Sequence, residues 1–378
     1  MSNPSTRLPT SPDELTVDNL NAVIAALDPT ALIDGFEVLE NHVYGSGMAS
    51  TSGRIVLRPQ WRNPEGLPAR IVMKVAHAEP SDPVAPRLSS NAVAWLYANE
   101  AEIYRQLKPW QVCEAPRAFG AGFDAASGTQ LIMLEDLRER GGTFPLVTTA
   151  VPLAQAESLV DELAALHARY WNSPELGTTL GWMQHHTRGP IHDAFTSPTG
   201  VPASIAELVA TVQFKREMVQ RLGQTEEALR LQFIRVQQHQ ATLPQTVCHG
   251  DTHIANTYCL PGPKAGLLDW QLSCIGYGMH DLSYAIATSL SVADRRVHER
   301  DLLARYRERL SQHGVIEPPS ADQLWEEYRR AMVWCVYIGW LATPVVNYGW
   351  EVCVMAHLRV MTAYEDLETA RAVAALDG

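Results

Sequence analysis

Lysine is scarce in this 378-residue chain: only Lys74, Lys108, Lys215 and Lys264 occur, within a total of 30 Lys and Arg. Nearly all positive charge is therefore arginine, and each lysine position is informative. Cysteine is sparse too. Cys113, Cys248, Cys259, Cys274, Cys335 and Cys353 form no CxxC pair, and several lie inside apolar runs, which argues against a disulfide framework and suits reduced thiols of an intracellular protein. The opening stretch MSNPSTRLPTSPDELTVDNL lacks an apolar core and a small-residue cleavage site, so no signal peptide is expected and a cytoplasmic location is. Long apolar runs are also missing. The segment Ala331 to Trp350 is uncharged over 20 residues, but Gly339, Thr343, Pro344, Asn347 and Gly349 interrupt it. Pro344 should end a helix begun near Glu326, which predicts a buried core helix and no membrane span.

What is present is ordinary globular material, 46% hydrophobic and 19% charged, enough for a packed core. The length predicts two lobes. The net charge of −12 repels a phosphate backbone at long range and argues against a nucleic-acid partner, so any anionic ligand must be held by a local device.

No internal repeat or low-complexity tract appears. After a loose arm at residues 1 to 10, Ser11 or Asp13 is expected to cap a helix running to about Leu27. Alternation predicts strands over Phe36 to Tyr44 and Gly53 to Trp61, and the near-continuous apolar run Ala69 to Ala76 predicts a third, with Gly45 and Gly47 in the first connection. The segment from Ser89 to Leu107 has helical spacing at Val93, Leu96, Ile103 and Leu107. Short strands follow near Arg117 to Phe123 and Gln130 to Leu134. Beyond the charged, glycine-rich RERGGTF the pattern becomes helical: Leu153 to Trp171, Ile205 to about His239, Arg295 to His313, Ala321 to Leu341 and Val352 to Leu376. A mostly β first third followed by a helical remainder predicts a division near Glu139.

The chemistry-bearing segments are TVCHGDTHIANTYCL, from Thr246 to Leu260, and AGLLDWQ, from Ala265 to Gln271. Apolar residues flank each polar cluster, so His249, Asp251, Asn256 and Asp269 are expected where short strands emerge into a cleft. The spacing suits phosphoryl transfer, in which one carboxylate takes the acceptor's proton while an amide and a second carboxylate hold Mg²⁺. Asp251 and Asn256 are five apart, the Asp-to-Asn step of a kinase catalytic loop. Asp269 follows on a second short strand, and hard oxygen ligands are what Mg²⁺ requires.

HGDTHIAN and LLDWQ, in this order, resemble the aminoglycoside phosphotransferase and choline-kinase-like superfamily, particularly its ecdysteroid-kinase-like branch. The resemblance covers most of the chain and implies an α+β, two-lobed protein-kinase-like fold: a small lobe over 1–138 with an antiparallel sheet and one helix, and a mostly helical lobe over 139–378. It implies an ATP-dependent phosphotransferase acting on a small-molecule hydroxyl, with ATP and Mg²⁺ bound where the lobes meet. Asp251 would be the base, and Asn256 and Asp269 the metal ligands. Lys74 in IVMKVA looks like the lysine that grips the α and β phosphates. Glu100, in the ExxxY pattern with Tyr104, looks like its helix partner, preferred over Glu102. Backbone groups of Glu135, Asp136 and Leu137 in LIMLEDL would pair with adenine. The loop YGSGMASTSG, with Gly45, Ser46 and Gly47, would cover the phosphates through backbone N–H groups.

Other readings bear on the same residues. His249, Asp251 and His253 could instead form a metal-hydrolase ligand set, or the chain could be a catalytically silent nucleotide-binding pseudokinase. Asp281 reads as a helix cap or brace, His167 as a satisfied core histidine, and Trp171, Trp182, His185 and His186 as a candidate acceptor wall. The acceptor itself stays open, between cationic aminoglycosides and apolar alcohols such as sterols or macrolides.

Overall fold

The computed structural model describes residues 8, 9, 11–42, 52–77 and 90–377. The loop residues Gly45, Ser46 and Gly47 lie outside the described residues. The chain forms two compact units, Met1–Thr143 with Asp269–Leu272, and Phe144–Leu268 with Ser273–Gly378.

The first unit begins with a single 3₁₀ turn at Pro12–Glu14 and then helix α1, Val17–Ala25. The expected cap at Ser11 or Asp13 is displaced to Thr16, whose hydroxyl accepts from Asn19 N–H while the Asn19 side chain accepts from Thr16 N–H. This reciprocal pair satisfies two donors that the helix start leaves open, which Ser11 does not do. Five strands follow: β1 Ile33–His42, β2 Gly53–Trp61, β3 Ile71–His77, then helix α2 Ser90–Glu102, β4 Ala118–Asp124 and β5 Thr129–Glu135. They form one antiparallel sheet in the order β1-β2-β3-β5-β4.

Alternation sorts the two faces. Ile71, Met73 and Val75 of β3 and Leu131 and Met133 of β5 join Leu20, Val23 and Ile24 of α1 in one core. The intervening residues face α2, where Ala76 packs with Val93 and Tyr97. Lys74 and Gln130 belong to this second face, since Lys74 stands opposite Ile132 and Ala76 opposite Gln130. α2 continues as a π-helical turn at Ile103–Leu107 and stops at Lys108, which takes a left-handed conformation.

The second unit is mainly helical: α3 Leu153–Tyr170, α4 Pro190–Thr196, α5 Val201–Thr211, α6 Gln213–Arg221 and α7 Glu226–Gln240. The single helix expected from Ile205 to His239 is thus three pieces, separated at Val212 and at Gly223, whose φ of +64° ends α6. Two small antiparallel pairs come next: β6 Thr246–Cys248, β7 Thr257–Cys259, β8 Ala265–Leu267 and β9 Cys274–Gly276, paired β6-β9 and β7-β8. Helix α8, Met279–Ser289, is buried on every side. The chain ends in α9 Val292–Gln312, α10 Ala321–Trp334, α11 Val345–Tyr348, α12 Trp350–Asp366 and α13 Thr369–Ala374. The uncharged segment continues α10 as a buried π-helix, Cys335–Leu341, before Pro344. Among the described residues no helix is long and apolar enough to cross a membrane. The helix expected over Val352 to Leu376 breaks at Glu368, where φ is +48°.

Candidate active site

Lys74 is the only charged residue of β3, and its place on the α2 face brings it to Glu100. Its Nζ donates to both Glu100 oxygens, at 2.9 and 2.8 Å, and to Asp269 Oδ1 at 3.0 Å. Glu102 points elsewhere, to Arg105 and Gln106 on the exposed side of the helix. Burial acts to lower the Lys74 pKa, but the charges of Asp269 and Glu100 outweigh it and raise the amine above its ordinary value. Glu100, 1% exposed, is pushed upward by burial and by Asp269, against the pull of Lys74. One ammonium is thus shared between two carboxylates, leaving the trio one negative charge in excess when all three are ionised.

Asp269 takes a φ of +61°, a left-handed conformation that Asp tolerates better than most residues. The 3₁₀ turn after it, Trp270–Leu272, is tied to α2 as well, since Asn99 Nδ2 donates to Gln271 O at 3.0 Å. Neighbouring residues of α2 therefore hold Lys74 and the segment following Asp269. Gln130 adds a further bond, its Nε2 donating to Glu100 Oε2 at 2.8 Å and to Tyr97 O at 3.1 Å.

The second unit carries Asp251 and Asn256. Strand β6 runs into His249-Gly250-Asp251, and the middle residue has a φ of +88°, which favours glycine. The loop is pinned through its backbone. Asp281, at the first turn of α8, accepts from His249 N–H at 2.6 Å and Gly250 N–H at 2.8 Å, and its carboxylate also meets His167 Nε2 at 3.2 Å. Burial works against this carboxylate, yet the hydrogen bond and charge of His167, with His280 and His249, hold its pKa below the usual value. His280 Nε2 donates to Gly250 O at 3.1 Å, and Ser273 Oγ donates to His249 O at 3.1 Å.

His249 is fully buried and its ring is committed: Nε2 donates to Leu268 O at 2.7 Å, which leaves Nδ1 as the acceptor for Asp251 N–H at 3.3 Å. A metal-hydrolase set of His249, Asp251 and His253 therefore lacks its first ligand. His253 Nε2 lies 3.7 Å from Asp251 Oδ2, and its ring meets Tyr284 and Trp340 edge-on.

Asn256 closes the loop. Its Nδ2 donates to Asp251 O and to Asp251 Oδ2, both at 2.9 Å. Because Nδ2 is so engaged, the amide oxygen is the atom left for a cation. Asn256 directly precedes β7, and Asn256 O accepts from Leu268 N–H at 2.8 Å, one residue before Asp269 in the chain. Each of Asn256 and Asp269 carries an oxygen donor of the hard kind that Mg²⁺ takes.

The segment expected at adenine is held mainly by its own unit. Glu135 N–H donates to Arg117 O at 2.9 Å and Asp136 N–H to Arg70 O at 3.3 Å. The Asp136 carboxylate, almost wholly buried, pairs with Arg70 and Arg138, and the Leu137 side chain is buried. Two of the three N–H groups of Glu135, Asp136 and Leu137 are thus committed to the sheet. His167 is a satisfied core histidine, bonded to Tyr306 and Asp281. His186 is a core residue too, packed on His280 and Trp334, so it departs from the expected acceptor wall because its ring is almost wholly shielded from solvent. The Asp366 carboxylate of the helical unit is engaged by Arg295 and Arg296.

Comparison with known proteins bears on the sequence as a whole. The ecdysteroid kinase-like family matches residues 91–315, more than half of the chain. No curated protein matches it. Similar solved structures include the choline kinase LicA from Streptococcus pneumoniae, at 13% identity and a TM-score of 0.47 over 87% of this chain and 94% of that one. An ethanolamine kinase from Plasmodium vivax aligns at 12% identity and a TM-score of 0.48, over 90% and 83%. The macrolide 2'-phosphotransferase MphH from Brachybacterium faecium gives 14% and 0.42, over 91% and 97%. The family assignment rests on the sequence match.

Proposed function

The chain belongs to the ecdysteroid kinase-like family, and on that premise we propose that it transfers the γ-phosphoryl group of ATP to a hydroxyl of a small molecule. The observation that carries this reading is the Lys74 ammonium held by Glu100 and Asp269, side chains 26 and 195 positions away in sequence. A partly buried lysine in that setting is a fixed positive charge suited to phosphate oxygens. Residues 1–138 would serve the nucleotide and 139–378 the acceptor, in a cytoplasmic protein.

In this scheme Lys74 grips the α and β phosphates, and Glu100 keeps its ammonium in place. Asp251 orients the acceptor hydroxyl and takes its proton, converting a poor nucleophile into one able to attack phosphorus. The Asn256 amide fixes the Asp251 carboxylate from one side. Mg²⁺, held by Asn256 and Asp269, would neutralise charge on the phosphates when bound. Glu135, Asp136 and Leu137 would border the adenine, and the Gly45, Ser46 and Gly47 loop would cover the phosphates.

The test is ADP formation from Mg·ATP with a panel of aminoglycosides, macrolides, sterols and amino alcohols. Replacing Asp251 by Asn keeps the shape and removes the base, so acceptor-dependent turnover should fall by about a hundredfold to ten-thousandfold. Turnover equal to the parent's would overturn the assignment of Asp251.

A further inference from the structure

We propose that Gln130 is a positioning residue for nucleotide binding, a latch from β5 to α2 that keeps the Glu100 carboxylate turned toward Lys74. The inference rests on the nucleotide reading of Lys74 given above.

Gln130 is fully buried on the sheet face that carries Lys74. Its two contacts are both to acceptors, the Tyr97 carbonyl and the Glu100 carboxylate, so its NH₂ group must face α2 and both hydrogens are used. One bond holds the backbone of α2 and the other holds the side chain that matters, one turn further along. The amide oxygen has no partner among the described residues. A buried oxygen left so is unfavourable, and an apolar side chain would avoid it. The compensating gain lies in what the nitrogen does.

Glu100 needs that gain. It is buried beside a second carboxylate, and both burial and Asp269 oppose its ionised form. When Lys74 turns one of its N–H groups to a phosphate, Gln130 is a donor that remains on Glu100. Without it the carboxylate can rotate, and the lysine loses its anchor.

The experiment measures binding of Mg²⁺ and trinitrophenyl-ATP to the full chain. Gln130→Met keeps length and bulk but removes both donors, and it should weaken binding by about tenfold. Gln130→Glu, nearly the same shape, sets a further carboxylate against Glu100 and should weaken it further. The decisive comparison is a double-mutant cycle: in a Glu100→Gln background, Gln130→Met should cost nothing more, because the latch acts through Glu100. Melting curves identify any variant that fails to fold, and the two substitutions are independent routes to the same answer. Binding by Gln130→Met within twofold of the parent, or an equal loss with and without Glu100, would overturn the latch. A parent that does not bind the analogue would overturn the nucleotide reading, and the latch with it.

Discussion

In the sheet-bearing unit Lys74 is positioned by opposite charge, between Glu100 and Asp269. In the helical unit the Asp251 loop is positioned through its backbone, with Asp281, His280 and Ser273 bonded to the main chain of His249 and Gly250. The two devices suit different tasks. An ion-pair cluster leaves its ammonium able to exchange one oxygen partner for another, as the role proposed for Lys74 requires. Hydrogen bonds to successive main-chain groups fix orientation, as the role of base proposed for Asp251 requires when the proton it removes must lie within about 3 Å.

The contrast breaks most visibly at Asp281. Asp281→Ala leaves two buried N–H groups and His167 without their acceptor, so urea denaturation should show a loss of about 3–5 kcal/mol. A loss below about 1 kcal/mol would mean that the loop is held by something other than this brace. Glu100→Gln, which keeps a hydrogen-bonding side chain and leaves Lys74 paired with Asp269, should cost less.

A more gradual effect concerns acid. Burial holds the His357 pKa down at about 3, with the Lys215 charge acting in the same direction. As pH falls from about 6.5 toward 3, the unfolded chain takes up a proton that the folded chain refuses. Stability should therefore drop by up to about 1.4 kcal/mol per pH unit from this group. Denaturation midpoints across that window should fall less steeply for His357→Leu; parallel profiles would remove His357 from the account. Lys215, lowered by burial to about 8, predicts the complementary trend, stability rising between about pH 8 and 10.5 and flattened in Lys215→Met.

The smallest effect compares like with like. Thr16 on α1 and Ser320 on α10 each form a reciprocal cap with the residue three positions on. Thr16→Ala and Ser320→Ala should each lower stability by about 1 kcal/mol, measured by chemical denaturation. A tenfold difference in the accompanying change of nucleotide binding would show that one cap does more than close its helix.

Legibility in the sequence follows the same divide. HGDTHIAN is contiguous, so Asp251 and Asn256 could be read as a pair from their spacing, and the structure has Asn256 bonded to Asp251. Lys74 could be read because a lone lysine in an apolar strand is a local signal, and Glu100 because the family resemblance supplied the ExxxY pattern. The five strands of the sheet were visible, the first two as alternation, the third as an apolar run and the last two on either side of a turn-rich segment, with ends shifted by a few residues. Gln130 was not read, although a single amide in TQLIMLE was a signal; its partners lie 30 and 33 positions back, on a helix whose facing side periodicity does not reveal. The interruptions at Gly223 and Glu368 escaped because apolar spacing continues across them while the backbone turns left-handed. Thr16 displaced Ser11 because the cap is decided by which hydroxyl reaches an N–H, and composition does not record that.

Mass spectrometry of hydroxyl compounds incubated with the protein, Mg²⁺ and ATP carrying heavy oxygen in its γ-phosphate decides whether the protein transfers that group. The account predicts a labelled phosphate ester on one class of acceptor, formed by the parent and reduced at least a hundredfold in Asp251→Asn. Labelled inorganic phosphate without any ester, or an ester formed equally by Asp251→Asn, would contradict it.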